Sequence, residues 1–123
     1  MLAWRMHIYR QLKAWQLAQE VGELLTTAFA PVAQYRTPGL RTQAIRAAHS
    51  ISANICEGCS RRSPAEFRRY LEISLGSVLE VENDLMLAAR CNVMTQPDYW
   101  KLKTKCAVLR RMLAALIQRH TKD

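Results

Sequence analysis

Residues 61–71 read Arg61-Arg62-Ser63-Pro64-Ala65-Glu66-Phe67-Arg68-Arg69-Tyr70-Leu71. The middle of this stretch starts a helix. The Ser63 hydroxyl can accept from the orphan N–H groups of a first turn. Pro64 has a helical φ already and no N–H to lose, and Glu66 completes a capping box. Beyond it Phe67, Tyr70, Leu71, Ser74, Val78, Val81, Leu85 and Ala88 recur at helical spacing, with Leu75, Leu79 and Met86 widening the face. That spacing predicts one long helix from Pro64 to Cys91.

Reading back from Ser63, Leu40, Ala44, Ala47, Ala48, Ile51 and Ile55 form the apolar stripe of a second helix over Pro38–Cys59. Its alanines permit close helix approach. Thr37-Pro38 is another cap-plus-proline start, and Gly58 a stop signal. Further back, Trp15, Leu17, Ala18, Val21, Leu24, Leu25, Ala28 and Phe29 predict a helix over Tyr9–Ala30. Lys13, Gln16, Gln19, Glu20, Glu23 and Thr27 make its polar side. Reading forward, Thr95-Gln96-Pro97-Asp98 opens a helix over Gln96–Arg119, with Tyr99, Leu102, Cys106, Leu109, Leu113, Leu116 and Ile117 inward. Four such helices with short links, and no strand alternation, imply an all-α fold: an antiparallel up-down-up-down four-helix bundle over residues 9–119. Residues 1–8 read as an N-terminal extension and 120–123 as a frayed tail.

The composition agrees. Half of the 123 residues are hydrophobic, which suits one domain with its own core and excludes a disordered chain. No apolar run approaches a membrane span, and Arg5, His7 and Arg10 interrupt any signal-peptide centre. The expectation is a soluble cytoplasmic protein with no membrane contact. Eighteen Lys and Arg against ten acids give a net charge of +8, which suggests a polyanionic partner.

The sequence offers little for catalysis. No Glu is followed by His three residues later, as an inward di-iron site would need. Cys56-Glu57-Gly58-Cys59 is the one Cys-x-x-Cys, and Cys91 and Cys106 do not form a second close pair. Cys56, Cys59 and Cys106 read as small packing residues, with no cofactor expected. There is no glycine-rich phosphate loop and no nucleophile elbow. Glu72, Glu80, Glu82 and Asp84 scatter around the third helix as solvated acids or partners of a neighbour's arginines.

Two polar patterns remain. Gln43, Arg46, Ser50, Asn54, Glu57 and Arg61 lie on one line of the second helix. The line is either a solvent face or a contact with a subunit or partner; Ser50 and Asn54, poor helix formers, point to a specific contact. Basic residues come in pairs. Arg61, Arg62, Arg68 and Arg69 surround the start of the third helix, and Lys101, Lys103, Lys105, Arg110 and Arg111 stud the fourth. Such clusters suit phosphate contacts, although no recognition module for bases is present. Ile73, Gly76 and Leu87 lie away from the third helix's main stripe, where burial between subunits would explain them.

The run from Gln43 to Gly58, followed by Arg61, Ser63, Glu66-Phe67, Leu71, Gly76-Ser77 and Glu80, resembles the four-helix bundle proteins encoded in intervening sequences of bacterial 23S rRNA genes. Leu12-Lys13-Ala14-Trp15-Gln16 resembles that family's first helix, so the likeness spans residues 9–119. Cys56 departs from the family's usual Ala. The resemblance implies a ring-like homopentamer without catalytic activity. Similar bundles act as accessory proteins of diversity-generating retroelements, where they bind a reverse transcriptase and nucleic acid. The combined expectation is a basic oligomer that binds RNA or DNA through Arg61, Arg62, Arg68, Arg69, Lys101, Lys105, Arg110 and Arg111. Gln43, Arg46, Ser50, Asn54, Glu57, Ile73 and Leu87 would meet a subunit or partner. The rival expectation is a scaffold that docks an acidic protein such as a reverse transcriptase.

Overall fold

The computed structural model describes residues 8–32 and 37–121. They form a short 3₁₀ turn, Tyr9–Gln11, and four α-helices: α1 Lys13–Phe29, α2 Leu40–Cys59, α3 Pro64–Arg90 and α4 Gln96–Arg119. There is no strand among the described residues. Each helix packs on two others in a closed cycle, α1 on α2, α2 on α3, α3 on α4 and α4 on α1. This is a four-helix bundle. Val21, Leu25, Phe29, Ile51, Ile55, Phe67, Leu71, Val78, Leu85, Leu102, Leu109 and Leu113 fill its centre.

The start of α3 follows from Ser63. Its backbone is extended, and its Oγ accepts from the Glu66 N–H at 3.2 Å, while the Glu66 carboxylate turns back to the same hydroxyl. Thr95 repeats this at α4, accepting from the Asp98 N–H at 3.2 Å. Both helices have proline in the first turn. At the end of α3, Asn92 takes φ +56°, the left-handed conformation that Asn tolerates best after Gly, and the chain turns toward α4.

The other termini differ from the sequence expectation. The first helix does not run unbroken from Tyr9: Leu12 is extended and separates the 3₁₀ turn from α1. Thr37-Pro38 does not cap α2. Thr37 is buried, and the helix starts two residues beyond Pro38, after Gly39 at φ +83°. That conformation favours glycine, so Gly39 rather than proline sets the entry. Gly58 does not stop α2 either; it sits within the last turn and lets α3 come close. Leu79 and Met86 do not widen the core face. They are about half exposed, because α3 buries only the arc that faces α2 and α4. Asp84 is buried rather than solvated, and Cys56 is only half-buried. His120 caps α4 inside the bundle, its ring edge-on to Phe67 at 5.0 Å between centroids. It is therefore no part of a frayed tail. Residues 122–123, and 1–7 of the expected extension, lie outside the described residues.

Candidate nucleic-acid interface

The basic corner at the α2–α3 junction is built around Tyr70. The Arg61 guanidinium lies over its ring at 4.8 Å from the centroid and the Arg69 guanidinium at 5.8 Å. Arg61 also pairs with Glu57 one turn earlier on α2. Tyr70 can stand there because Gly58 has no side chain: a Cβ at 58 would come 2.9 Å from the Tyr70 Cβ and 3.2 Å from the Phe67 ring. Arg62 and Arg69 point outward and are exposed. Arg68 does not. Its Nη1 donates to the His120 carbonyl at 2.8 Å, tying α3 to the end of α4.

The eight expected phosphate ligands therefore do not form one patch. Arg68 places the corner beside the C-terminal end of α4, whereas Lys101 stands near its start, about 28 Å away along the helix. Three of the eight hold acids. Arg61 holds Glu57, the Lys105 ammonium meets Glu20 of α1 at 3.0 Å, and Arg110 meets Glu82 of α3 at 3.2 Å through Nε and 3.4 Å through Nη2. Arg62, Arg69, Lys101 and Arg111 are exposed, with no acidic partner among the described residues. Of the eight expected ligands, those four are the ones most open to phosphate.

The polar line of α2 divides as well. Gln43, Arg46 and Glu57 are exposed. Ser50 and Asn54 turn into the seam with α3. Asn54 Nδ2 donates to the Ser50 carbonyl at 2.8 Å and to its Oγ at 3.0 Å. Ser50 Oγ shares a hydrogen bond of 2.8 Å with Ser77 Oγ, which reaches the Ile73 carbonyl at 3.3 Å. One proton order satisfies every member: Asn54 donates to Ser50, Ser50 to Ser77, and Ser77 to Ile73. One turn nearer the core, Ser74 donates to the Ile51 carbonyl at 2.8 Å. Beside this chain opens a cleft of about 530 Å³, lined by Gln43, Arg46, Ser50, Ser77 and Glu80.

On the outer side of α3, Ile73, Leu79, Met86 and Leu87 are between 42 % and 53 % exposed, and nothing stands within 4 Å of where a Gly76 Cβ would be. These apolar side chains share the outer side of α3 with the exposed Glu72, Glu80 and Asn83, and nothing among the described residues covers them.

Two buried thiols, Cys59 and Cys106, and the buried acid Asp84 have raised pKa values. Burial, with the neighbouring Cys56, pushes Cys59 up to about 11. Burial, with the Glu82 charge, pushes Cys106 up to about 12, against a smaller pull from Arg110. Burial and the Glu80 charge raise Asp84, opposed by a hydrogen bond from Asn83. Such thiols stay protonated at neutral pH and are poor nucleophiles and poor metal ligands. Among the described residues no three His, Cys, Asp or Glu side chains gather as metal ligands would. No helix among them is long and apolar enough to cross a membrane.

One exposed aromatic escaped the sequence reading. Trp100, on the first turns of α4, is 54 % exposed, and the Lys103 ammonium stands 5.0 Å from its ring centroid. Its place beside Lys101 and Lys103, off the α4 apolar stripe, was the available signal.

No curated protein matches the chain. A crystal structure of a protein of unknown function from the S23 ribosomal protein family of Bacteroides thetaiotaomicron superposes with a TM-score of 0.78 at 24 % identity, covering 85 % of this chain and 97 % of that one. At that identity the likeness shows the fold. The sequence itself matches the family described as 23S rRNA-intervening sequence protein over residues 10–115, nearly the whole bundle, and the chain belongs to that family.

Proposed function

We propose that this chain is a non-enzymatic, basic, oligomeric protein that binds nucleic acid through phosphate contacts. One observation carries the reading: Arg62, Arg69, Lys101 and Arg111 stay on the surface without acidic partners among the described residues, in a chain of net charge +8. Arginine supplies three of the four, and its planar fork suits phosphate oxygens. The uncovered face of Ile73, Leu79, Met86 and Leu87 supports assembly through α3. A ring of five is the stoichiometry that the family resemblance implies, with the up-down-up-down course of its helices. Assembly would multiply the exposed cations and place them around a common axis.

Fluorescence anisotropy with structured RNA and with duplex DNA tests this reading, titrated from about 50 to 200 mM salt. The expected result is a steep linear fall of log affinity with log salt. Absence of binding at the low-salt end would instead assign the charge to an acidic protein partner. The scaffold reading, with a reverse transcriptase as the partner class, would then take its place.

A further inference from the structure

The outer face of α4 is built differently from the other surfaces. Leu102, Cys106, Leu109, Leu113 and Leu116 point into the core. At 100° per residue, Trp100, Thr104, Ala107, Arg111 and Ala114 lie round the opposite side. Trp100 and Arg111 are three turns apart on nearly one line, about 17 Å along the axis. Only Thr104 and Ala107, both small, stand between them, so the line carries no bulky obstruction. Lys103 flanks it.

The Trp100 ring is held in place. Its Nε1 donates to Gln96 Oε1 at 3.1 Å, and Tyr99 meets it edge-on at 5.3 Å between centroids with an interplanar angle of 72°. The indole N–H is therefore already satisfied. What the side chain still offers a partner is its π surface, in an orientation that costs little to fix. The Lys103 ammonium lies 5.0 Å from the Trp100 centroid and 5.7 Å from that of Tyr99, on a flexible stem. A ligand that suits this line has a flat aromatic part to stack on Trp100 and negative charge to follow Lys103 and Arg111. An apolar protein surface satisfies the first need and not the second. An acidic segment satisfies the second and not the first.

We infer that α4 binds a single-stranded nucleic acid, with one base stacked on Trp100 and the backbone running along the helix toward Arg111. The assignment rests on the nucleic-acid reading above and sharpens it: unpaired bases expose the π faces that stacking needs, and a duplex does not. Sequence preference is weak, because every base has such a face.

The test compares the full-length protein with Trp100→Ala, Trp100→Phe and Arg111→Gln. The probes are labelled oligouridine and oligothymidine in anisotropy titrations, with an RNA duplex alongside. Trp100 is an exposed helical residue, so alanine leaves the fold intact, which circular dichroism verifies. Expected are a 5- to 100-fold (order-of-magnitude) loss for Trp100→Ala on single strands, near-unchanged duplex binding, and affinity within a few-fold of wild type for Trp100→Phe. The salt slope stays the same in Trp100→Ala and becomes shallower in Arg111→Gln. The tighter of the two oligomers identifies RNA or DNA as the ligand. Single-strand affinity of Trp100→Ala equal to wild type overturns the stacking site and leaves the phosphate reading standing. Failure of the wild type to bind single strands and duplex alike overturns both.

Discussion

The Cβ that Gly58 lacks would lie 2.9 Å from the Cβ of Tyr70, closer than such atoms approach. This contact holds the end of α2 against the first turns of α3, and so fixes the ring on which Arg61 and Arg69 rest. Helix propensity alone would make Gly58→Ala stabilising by about 1 kcal/mol. The clash is with an atom next to the backbone, which cannot swing away. We expect Gly58→Ala to destabilise by about 1–3 kcal/mol. Gly22, in α1 with nothing within 4 Å of its missing Cβ, is the control, and Gly22→Ala should gain up to about 1 kcal/mol. Urea midpoints of the two variants should therefore move in opposite directions.

Arg68 is a structural arginine, unlike the exposed Arg62, Arg69 and Arg111. Its bond to the His120 carbonyl closes the end of α4 onto α3. Arg68→Ala should lower stability by about 1.5–3 kcal/mol, the range for a hydrogen bond from a charged group. The salt dependence of nucleic-acid binding should stay at the wild-type slope. Thermal melts and anisotropy on the same preparation read both quantities.

Charge placed on the exposed apolar face of α3 should disperse any assembly. Ile73→Glu with Leu87→Glu leaves the bundle core untouched, because both side chains are over 40 % exposed in the single chain. Sedimentation velocity should show the wild type as an oligomer and the double variant as a monomer with unchanged helicity. A wild type that sediments as a monomer would remove α3 as a subunit contact.

Asp84 gives stability a pH dependence. Its Oδ2 is buried without a hydrogen-bond partner among the described residues, and burial raises its pKa. The folded state therefore keeps the proton to higher pH than the unfolded chain. The stability this contributes is present below the ordinary carboxylate range and is lost as pH rises through the raised value. Asp84→Asn should be more stable than wild type at neutral pH by about 1 kcal/mol. The difference should close as pH falls toward about 4. Denaturant titrations at several pH values measure the gap.

Cysteine labelling should follow burial. Cys91 is exposed, whereas Cys59 and Cys106 are buried with pKa values near 11 and 12. Iodoacetamide at mildly alkaline pH should modify Cys91 first and reach Cys59 and Cys106 only on unfolding. Mass spectrometry of timed samples shows the order.

Most of the architecture was legible because it rests on local chemistry. Ser63-Pro64 and Thr95 mark helix starts through their own hydroxyls and prolines, and the α4 boundaries, Gln96 and Arg119, match the periodicity. Thr37-Pro38 carries a similar signature and misleads, because Gly39 in the left-handed region takes over the entry to α2. Leu79 and Met86 misled for another reason: helical spacing gives the angle between side chains but not how wide an arc the neighbours cover. At the site, sequence found the cations and could not say which were committed. Arg68 meets a carbonyl 52 residues away, and Arg110 an acid 28 residues away. For Ser50 and Asn54 sequence left a solvent face and a subunit or partner contact open; in the fold Asn54 bonds Ser50, and Ser50 bonds Ser77 of the same chain.

The central claim is that phosphates bind the exposed, unneutralised cations. The most direct measurement is the slope of log affinity against log salt for the wild type and for Arg62→Gln combined with Arg111→Gln, on one duplex. Each phosphate contact contributes about 0.9 to that slope, so the double variant should lose roughly 1.8 and bind more weakly at every salt concentration. An unchanged slope and affinity would contradict the account.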